Sequence, residues 1–422
     1  MHKWYSLYDK VYERTNLVRS FHKVKQNNGV SGIDGQSVAN YGDNLSAELC
    51  QLEKELREKS YRPQAVKRVY IDKPDGGERP LGIPTVRDRV VQQALLNVLQ
   101  PIFDPEFHPS SYGYRPGRSA ARAVAKAERF MNRYGLNHVA DMDLSKCFDT
   151  LDHDLILQGV NRKVSDGSIL NLIDLFLKSG MEEDGIVKAT EIGCPQGGVI
   201  SPLLMNIYLD SFDQYMKSLG IRIVRYADDI LIFARTRSEA GRYRAIATKY
   251  LERALHLGVN EVKTHLTDKW EGVAFLGFII TSRGVRINPK SVKKFKAKVR
   301  QLTPRNSGRN LLMQIAELNM LLRGFANYFR IGLVQSLFRD LMSWIRRRLR
   351  MKKMREWKSW KGLHKQLRRM GHKGSFKKIS MTRWRNAGCT LLHMALPNEW
   401  FAEQGLYNME RVKTNILHQY YE

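Results

Sequence analysis

The sequence predicts an α+β fold, an antiparallel sheet covered by helices on one face, continued by a helical and strongly basic last third. Three observations predict it. Up to about residue 287, strand-like apolar runs alternate with helical periodicities as βα and ββ units. From Asn288 onward the period is helical throughout. The charge is partitioned as well: the 422 residues carry 70 Lys and Arg against 42 Asp and Glu, but residues 286–422 hold 31 against 7, leaving 39 against 35 elsewhere. A near-neutral body joined to a basic third suits a folded catalytic unit with a region that grips a polyanion.

The length allows about two to four domains with real cores. No apolar run approaches the length of a bilayer, so no membrane partner is expected, and residues 1–20 mix charges with aromatics and lack a signal-peptide core. Cys50, Cys147, Cys194 and Cys389 are far apart with no C-x-x-C pair. That argues against a disulfide framework and a paired-cysteine zinc finger, and a reduced, cytoplasmic protein is expected.

Taken in order, Leu45, Leu49, Leu52 and Leu56 define one face of a helix over Leu45–Lys59. Ahead of it, Gly29–Gly35 is a glycine-spaced loop, either a connector or a place of close approach to a nucleic-acid backbone. Ala65–Asp72 reads as a strand, residues 73–77 as a turn and Glu78–Ile83 as the returning strand, with Lys73 and Arg79 at the shoulders of the hairpin. A helix over Thr85–Val98 leads into a loop holding Pro101, Pro105 and Pro109. In Ser111–Arg118, aromatics stand among Arg115, Arg118 and glycines, which suits base stacking and phosphate contact as well as an ordinary basic loop. Ala120–Tyr134 is helical, and the strand His138–Leu144 delivers Asp141 and Asp143. Leu155–Lys178 is helical with a break at Asp166-Gly167, Gly193–Gly198 is a tight loop, and Ser201–Leu219 is a long helix. Ile221–Arg225 and Ile230–Ala234 then form a hairpin around Tyr226-Ala227-Asp228-Asp229, followed by a helix over Ser238–Leu257.

In the basic third, Val292, Phe295, Val299 and Leu302 make an apolar stripe among Lys293, Lys294, Lys296, Lys298 and Arg300. Ile315–Tyr328 and Leu333–Met351 complete a three-helix bundle. From Trp344 to Arg385, 17 Lys and Arg and a single acid interleave with Trp344, Trp357, Trp360 and Trp384. A merely solvated face would show acids too, so this pattern suits nucleic acid.

Two aspartates at a hairpin turn are ordinarily solvated turn residues. The second acidic cluster, Asp141-Met142-Asp143, also closes a strand-like run, and carboxylates converging from two strands suit a divalent metal. Asp143 and Asp228 are too far apart in sequence for a local loop site such as an EF-hand. Phosphoryl transfer to a 3′-hydroxyl asks for two Mg²⁺ ions about 4 Å apart, which two bridging aspartates can hold.

With these motifs in this order, the chain resembles a reverse transcriptase, and in particular the group II intron-encoded branch with maturase activity, of the compact kind without an endonuclease. A lone Tyr-x-Asp-Asp is weakly specific; the ordered set spans nearly the whole chain. The resemblance implies a right-hand polymerase fold: an N-terminal extension at 1–60, fingers and palm at 61–287, a helical thumb at 288–352 and a basic DNA-binding region at 353–422. Asp143–Asp149 resembles the first catalytic motif, with Asp143 as metal ligand, Leu144 offering its carbonyl and Phe148 as a steric gate against a 2′-hydroxyl. Cys147 stands where the family usually has a second aromatic. Asp228 would be the main ligand of the turn, with Asp229 supporting it. Pro195–Gly198 resembles the loop that lines the incoming nucleotide, with Gln196 in contact, and Lys73 and Arg79 match the triphosphate grip. Leu257–Thr264 resembles the next motif, where Lys263 protonates pyrophosphate, and Phe275-Leu276-Gly277-Phe278 the primer-grip turn. Lys293, Lys296, Arg346, Arg347 and Arg348 would track nucleic acid from the thumb. The implied cofactors are two Mg²⁺, with Mn²⁺ able to replace them. The implied partners are RNA template and primer, deoxynucleoside triphosphates, the group II intron RNA and a DNA target. Two other readings stand beside this one: a splicing-only maturase, and a free-standing relative in phage defence or DNA repair.

Overall fold

A computed structural model describes residues 3–72, 77–304 and 308–421, so Lys73 lies outside the described residues. By internal packing the chain forms two units, Met1–Ala123 with Tyr134–Asp268, and Val124–Arg133 with Lys269–Glu422. Its strands in order are β1 (Val66–Asp72), β2 (Glu78–Ile83), β3 (His138–Asp143), β4 (Met181–Glu183), β5 (Ile186–Lys188), β6 (Arg222–Tyr226), β7 (Asp229–Ala234), β8 (His265–Asp268), β9 (Val273–Phe275), β10 (Phe278–Thr281) and β11 (Gly284–Ile287).

The first unit holds two sheets. One, of order β6-β7-β3-β8, is antiparallel throughout, as the sequence predicts. Its central strands carry Val139, Ala140, Met142 and Ile230 to Ala234, all buried, which is why β7 reads as a continuous apolar run and β3 as an apolar run broken by Asp141. The other, of order β2-β1-β4-β5, departs from the antiparallel expectation, because β1 and β4 run parallel from Val66 opposite Met181. The β4–β5 hairpin was not predicted: three-residue strands are too short to show an alternation. Its Asp184-Gly185 turn, with φ of 53° and 80°, was the available signal.

Helices start where side chains can cap them: Thr85 accepts from the Asp88 amide, Asp152 from Leu155, Asp166 from Ser168 and Ile169, and Thr236 from Glu239. The helix Val86–Phe103 runs past Pro101, which the sequence placed in a loop. Pro101 falls in the last turn, where its missing N–H forfeits a single bond while Leu99 and Phe103 remain buried. A helix over Arg14–Gln26, also unpredicted, buries Leu17, Phe21 and Val24 from a stripe hidden among charges. In the glycine-spaced loop a Cβ on Gly29 would lie 2.7 Å from Arg89 Nη1 and one on Gly32 2.7 Å from the Thr85 backbone, so these two glycines serve packing within the chain, while Gly35, at φ 70°, faces open space.

In the second unit, β9, β10 and β11 form an antiparallel sheet. Helices Pro289–Leu302, Leu311–Phe329 and Gln335–Trp357 form the expected bundle, stacked through Phe295 and Phe325 at 3.9 Å, with Phe329 and Phe338 beside them. Asn288 and Asn310 cap the first two. Trp344, Trp360 and Trp384 of the basic third are partnered within the fold. Lys296, Arg300 and Arg348 lie over Trp344 at 5.9, 5.7 and 5.5 Å, Arg347 over Trp384 at 4.8 Å, and Lys378 over Trp360 at 5.0 Å. The interleaving read as a nucleic-acid signature is in these cases internal cation–π packing. All four cysteines are free, and among the described residues no helix is long and apolar enough to cross a membrane.

Candidate active site

Register brings the carboxylates together. In the β3–β7 ladder Asp143 stands opposite Asp229, and alternation puts Asp141 on the same face as Asp143. The β6–β7 hairpin closes through Ala227 and Asp228, with Ala227 at φ 58°. A positive φ at a non-glycine residue has to be held from outside. The holding group is Arg225, fully buried against an equally buried Asp213. Its Nε donates to both Asp213 oxygens (2.9 and 3.0 Å) and its Nη2 to Oδ2 (2.6 Å). Its Nη1 donates to the Ala227 carbonyl (3.1 Å) and to Asn206 Oδ1 (3.0 Å). Asn206 Nδ2 in turn donates to the Gly113 carbonyl at 2.9 Å. Gly113 packs so tightly on the turn that a Cβ there would sit 2.4 Å from the Ala227 nitrogen. The sequence reading missed Arg225, Asp213, Asn206 and Gly113.

The segment after Asp143 is pinned from the other side. The Ser145 amide donates to Gly258 and the Asn260 amide to Asp143, both at 2.9 Å, around an antiparallel bridge of Leu144 and Val259. In that pairing the Leu144 carbonyl points away from Val259. The bridge also places Lys263, whose Nζ lies 3.1 Å from Asp143 Oδ2. Lys146, at φ 49°, starts the short helix Cys147–Thr150 that presents Phe148, and the Cys194 amide holds the Phe148 carbonyl at 2.7 Å. Cys147 is buried, and burial pushes its thiol up to about 12, so it packs here as a neutral side chain. Gly82 on β2 donates to the Gln196 carbonyl at 2.8 Å. Gly197 presses there so closely that a Cβ would lie 2.4 Å from the Gly82 oxygen.

The result is one cleft of about 520 Å³. Asp143, Leu144, Phe148, Arg79, Gln196, Asp228 and Lys263 all line it, together with Arg68, Lys146 and Asp149, which the sequence did not single out. Burial raises Asp228 above the ordinary carboxylate range; the charge of Asp143 adds to this, and Arg79 and Lys263 oppose it. Burial, with Asp141, Asp228 and Asp143, raises Asp229 further. Asp141 is pushed up to about 6 by burial, with His265 opposing and Asp143 adding. Carboxylates crowded this way disfavour their own ionisation until a cation neutralises them. Asp143 and Asp228, with the Leu144 carbonyl, offer hard oxygen donors in an open cleft, which fits a Mg²⁺ ion that keeps several waters.

Other candidates stand elsewhere. Arg115 is buried and its guanidinium is spent on Asp104 and on the carbonyls of His108 and Ser111, so the expected nucleic-acid contact is corrected to a brace within its own loop. Arg118 lies half-buried over the Tyr112 ring at 5.4 Å. In the second unit, Phe275 is buried as β9 turns into β10, which leaves contact at that turn to the half-buried Leu276 and Gly277. Arg346 is buried in an ion pair with Glu410 at 2.6 Å, and Arg348 donates to the Thr303 hydroxyl and carbonyl at 2.7 and 2.6 Å. Arg346 is therefore corrected from a nucleic-acid contact to an internal tie, whereas Arg347, over Trp384, and Arg348 are half-buried and keep exposed surface. Lys293 is exposed and Lys296 half-buried.

A cleft lined by paired strand-end aspartates, an arginine and a glutamine loop fits a nucleotidyl-transfer class of enzyme. Residues 71–280 match the family described as reverse transcriptase (RNA-dependent DNA polymerase), and residues 292–371 match the group II intron maturase-specific domain. Protein YkfC of Escherichia coli (strain K12) is 36% identical over 283 residues, covering 58% of this chain and 74% of that protein. Group II intron-encoded protein LtrA of Lactococcus lactis subsp. cremoris is 34% identical over 49% of this chain and 34% of its own length. Nuclear intron maturase 4, mitochondrial, of Arabidopsis thaliana is 32% identical over 35% of this chain and 18% of its own. The chain thus spans about three-quarters of YkfC, about a third of LtrA and less than a fifth of the Arabidopsis maturase. It belongs to the reverse transcriptases, in the branch that carries a group II intron maturase domain.

Proposed function

We propose that this protein is an RNA-directed DNA polymerase that joins deoxynucleotides to a primer by two-metal transfer, and that, encoded by a group II intron, it also binds the intron RNA to promote splicing and mobility. The observation that carries the reading is the shared cleft, where residues from β2, β3, the 193–198 loop, the 226–229 turn and the 257–264 loop meet. Asp143, Asp228 and the Leu144 carbonyl would hold two Mg²⁺, or Mn²⁺ in their place, with Asp229 supporting from β7. Bound there, the ions lower the pKa of the attacking 3′-hydroxyl and neutralise charge on the leaving group.

The remaining roles belong to side chains. Arg79 presents a planar fork to the triphosphate, with Lys73 as its point-charge companion. Gln196 lies against the incoming nucleotide, and Phe148, rigid in its short helix, blocks a 2′-hydroxyl. Lys263, released from Asp143, gives a proton to the departing pyrophosphate. In this reading residues 1–60 are the extension, 61–287 fingers and palm, 288–352 thumb and 353–422 the region that meets target DNA. Template, primer and intron RNA are the nucleic-acid partners.

Asp228→Asn tests it. Primer extension on an RNA template is expected to fall to background, while RNA affinity and melting temperature stay near wild type. Persistent extension would sink the assignment. A wild-type chain that binds and splices its intron RNA without extending any primer would instead support the splicing-only reading.

A further inference from the structure

Tyr114 is 54% exposed, yet its backbone is fixed on both sides. Gly113 is trapped between Asn206 and the Ala227 turn, and Arg115 is tied by four hydrogen bonds to Asp104, His108 and Ser111. Between them Tyr114 adopts φ 57°, a conformation costly for a bulky side chain and free for glycine. Strain of this kind persists where the surroundings over-determine it, and it collects at functional sites.

Its position says which function. Ser111 bridges Arg225 in parallel, so residues 110–112 lie along the outer edge of β6 and Tyr114 emerges beside the catalytic turn. Its phenol is within electrostatic reach of Asp228 and Tyr226, and more weakly of Arg79. Lys263 approaches Asp143 from the opposite, β8, flank of the same sheet. In-line displacement puts the attacking oxygen and the leaving pyrophosphate on opposite sides of the phosphorus. With Lys263 on the leaving side, the β6 flank is where the attacking 3′ end lies.

We propose that Tyr114 seats the 3′-terminal nucleotide of the primer, its ring packed against the terminal sugar and base beside Asp228. The inference rests on the polymerase reading above. A ring on a clamped backbone has only its own two side-chain torsions to lose on stacking, and stacking tolerates any base.

The test uses the full chain with a primer carrying 2-aminopurine at its 3′ end on an RNA template, without nucleotide or divalent metal. Wild type and Tyr114→Phe are expected to quench the probe on binding; Tyr114→Ala and Tyr114→Asn should bind the duplex without the quench. In extension with Mg²⁺, Tyr114→Ala should lose roughly 5- to 150-fold in kcat, the range of one lost base–aromatic stack. Its KM for deoxynucleotide should be unchanged, and Tyr114→Phe should restore the rate. Tyr114→Asn, which tolerates positive φ, should melt no lower than wild type while sharing the loss of activity. Unchanged quenching and kcat in Tyr114→Ala, or an effect confined to the nucleotide KM, would overturn the proposal. A wild type that quenches the probe but never extends it would sink the polymerase reading and leave the seat standing.

Discussion

Replacing Asp213 should damage the protein through a charge that the substitution does not touch. Asp213 and Arg225 are both 0% exposed, and the pair is joined by three contacts between 2.6 and 3.0 Å. Asp213→Ala leaves the guanidinium buried, with only its Nη1 still bonded to Asn206 and Ala227. Stripping one partner from a buried pair costs about 3–5 kcal/mol, because the remaining charge has neither water nor a counter-ion. That is roughly 150- to 5,000-fold in the folding equilibrium, against a total stability of about 5–15 kcal/mol for a typical domain. In a unit of this size it lowers the melting temperature by roughly 6–20 °C.

The double variant Asp213→Leu with Arg225→Met separates stability from positioning. Removing both charges is often neutral or stabilising, so most of the lost stability should return. The brace on the Ala227 carbonyl does not return, and primer extension should stay low in a chain that melts near wild type. Urea unfolding followed by circular dichroism, beside a primer-extension rate, reads both. A cost below about 1 kcal/mol for Asp213→Ala, or a double variant no more stable than the single one, would refute the buried-charge argument.

Other outcomes follow from the same geometry. Gly113→Ala pushes a methyl to within 2.4 Å of the Ala227 nitrogen, so kcat should drop and stability fall by about 1–3 kcal/mol, with RNA affinity kept; normal extension would mean the turn is not braced there. Lys293→Ala should flatten the slope of RNA affinity against salt by about one counter-ion, whereas Arg346→Ala should lower the melting temperature and leave the slope unchanged; a reversal would restore Arg346 as a phosphate contact. Burial, then Arg350, Arg346 and Arg347, hold His393 below its ordinary 6.5. The unfolded chain therefore binds that proton more readily, so stability is full above 6.5 and declines as pH falls below it. His393→Gln should remove this decline between melting curves at pH 7 and pH 5, and an unaltered decline would assign it elsewhere.

What the sequence disclosed and what it hid divide along a physical line. Elements whose signal is periodic were legible: β2 is found at its predicted residues, and the helices at 45–57, 120–132 and 201–218 lie within two residues of expectation. The cleft was legible too, because each of its motifs is a short contiguous string. Lys263 or Gln196 needs only its own loop to be recognised, and the fold then gathers the loops. The brace behind the cleft has no such string. Arg225, Asp213, Asn206 and Gly113 come from four segments, and each looks ordinary alone.

A sharper use of periodicity would still have found part of it. Arg225 continues the inward alternation of Ile221 and Ile223, and Asp213 sits on the helical face of Leu209, Phe212 and Met216, all buried. Opposite charges at two positions assigned to the core must find each other or unfold the protein. The same test applies to the basic run. Arg346 and Arg350 fall on the stripe of Phe338, Leu341, Met342, Ile345 and Leu349, and both are buried, while Lys293 lies off the stripe of Phe295 and Val299 and is exposed. Counting positive charge therefore overstates the surface offered to nucleic acid. The charges that grip a polyanion are those the helical period turns outward, and those it turns inward hold the fold that presents them.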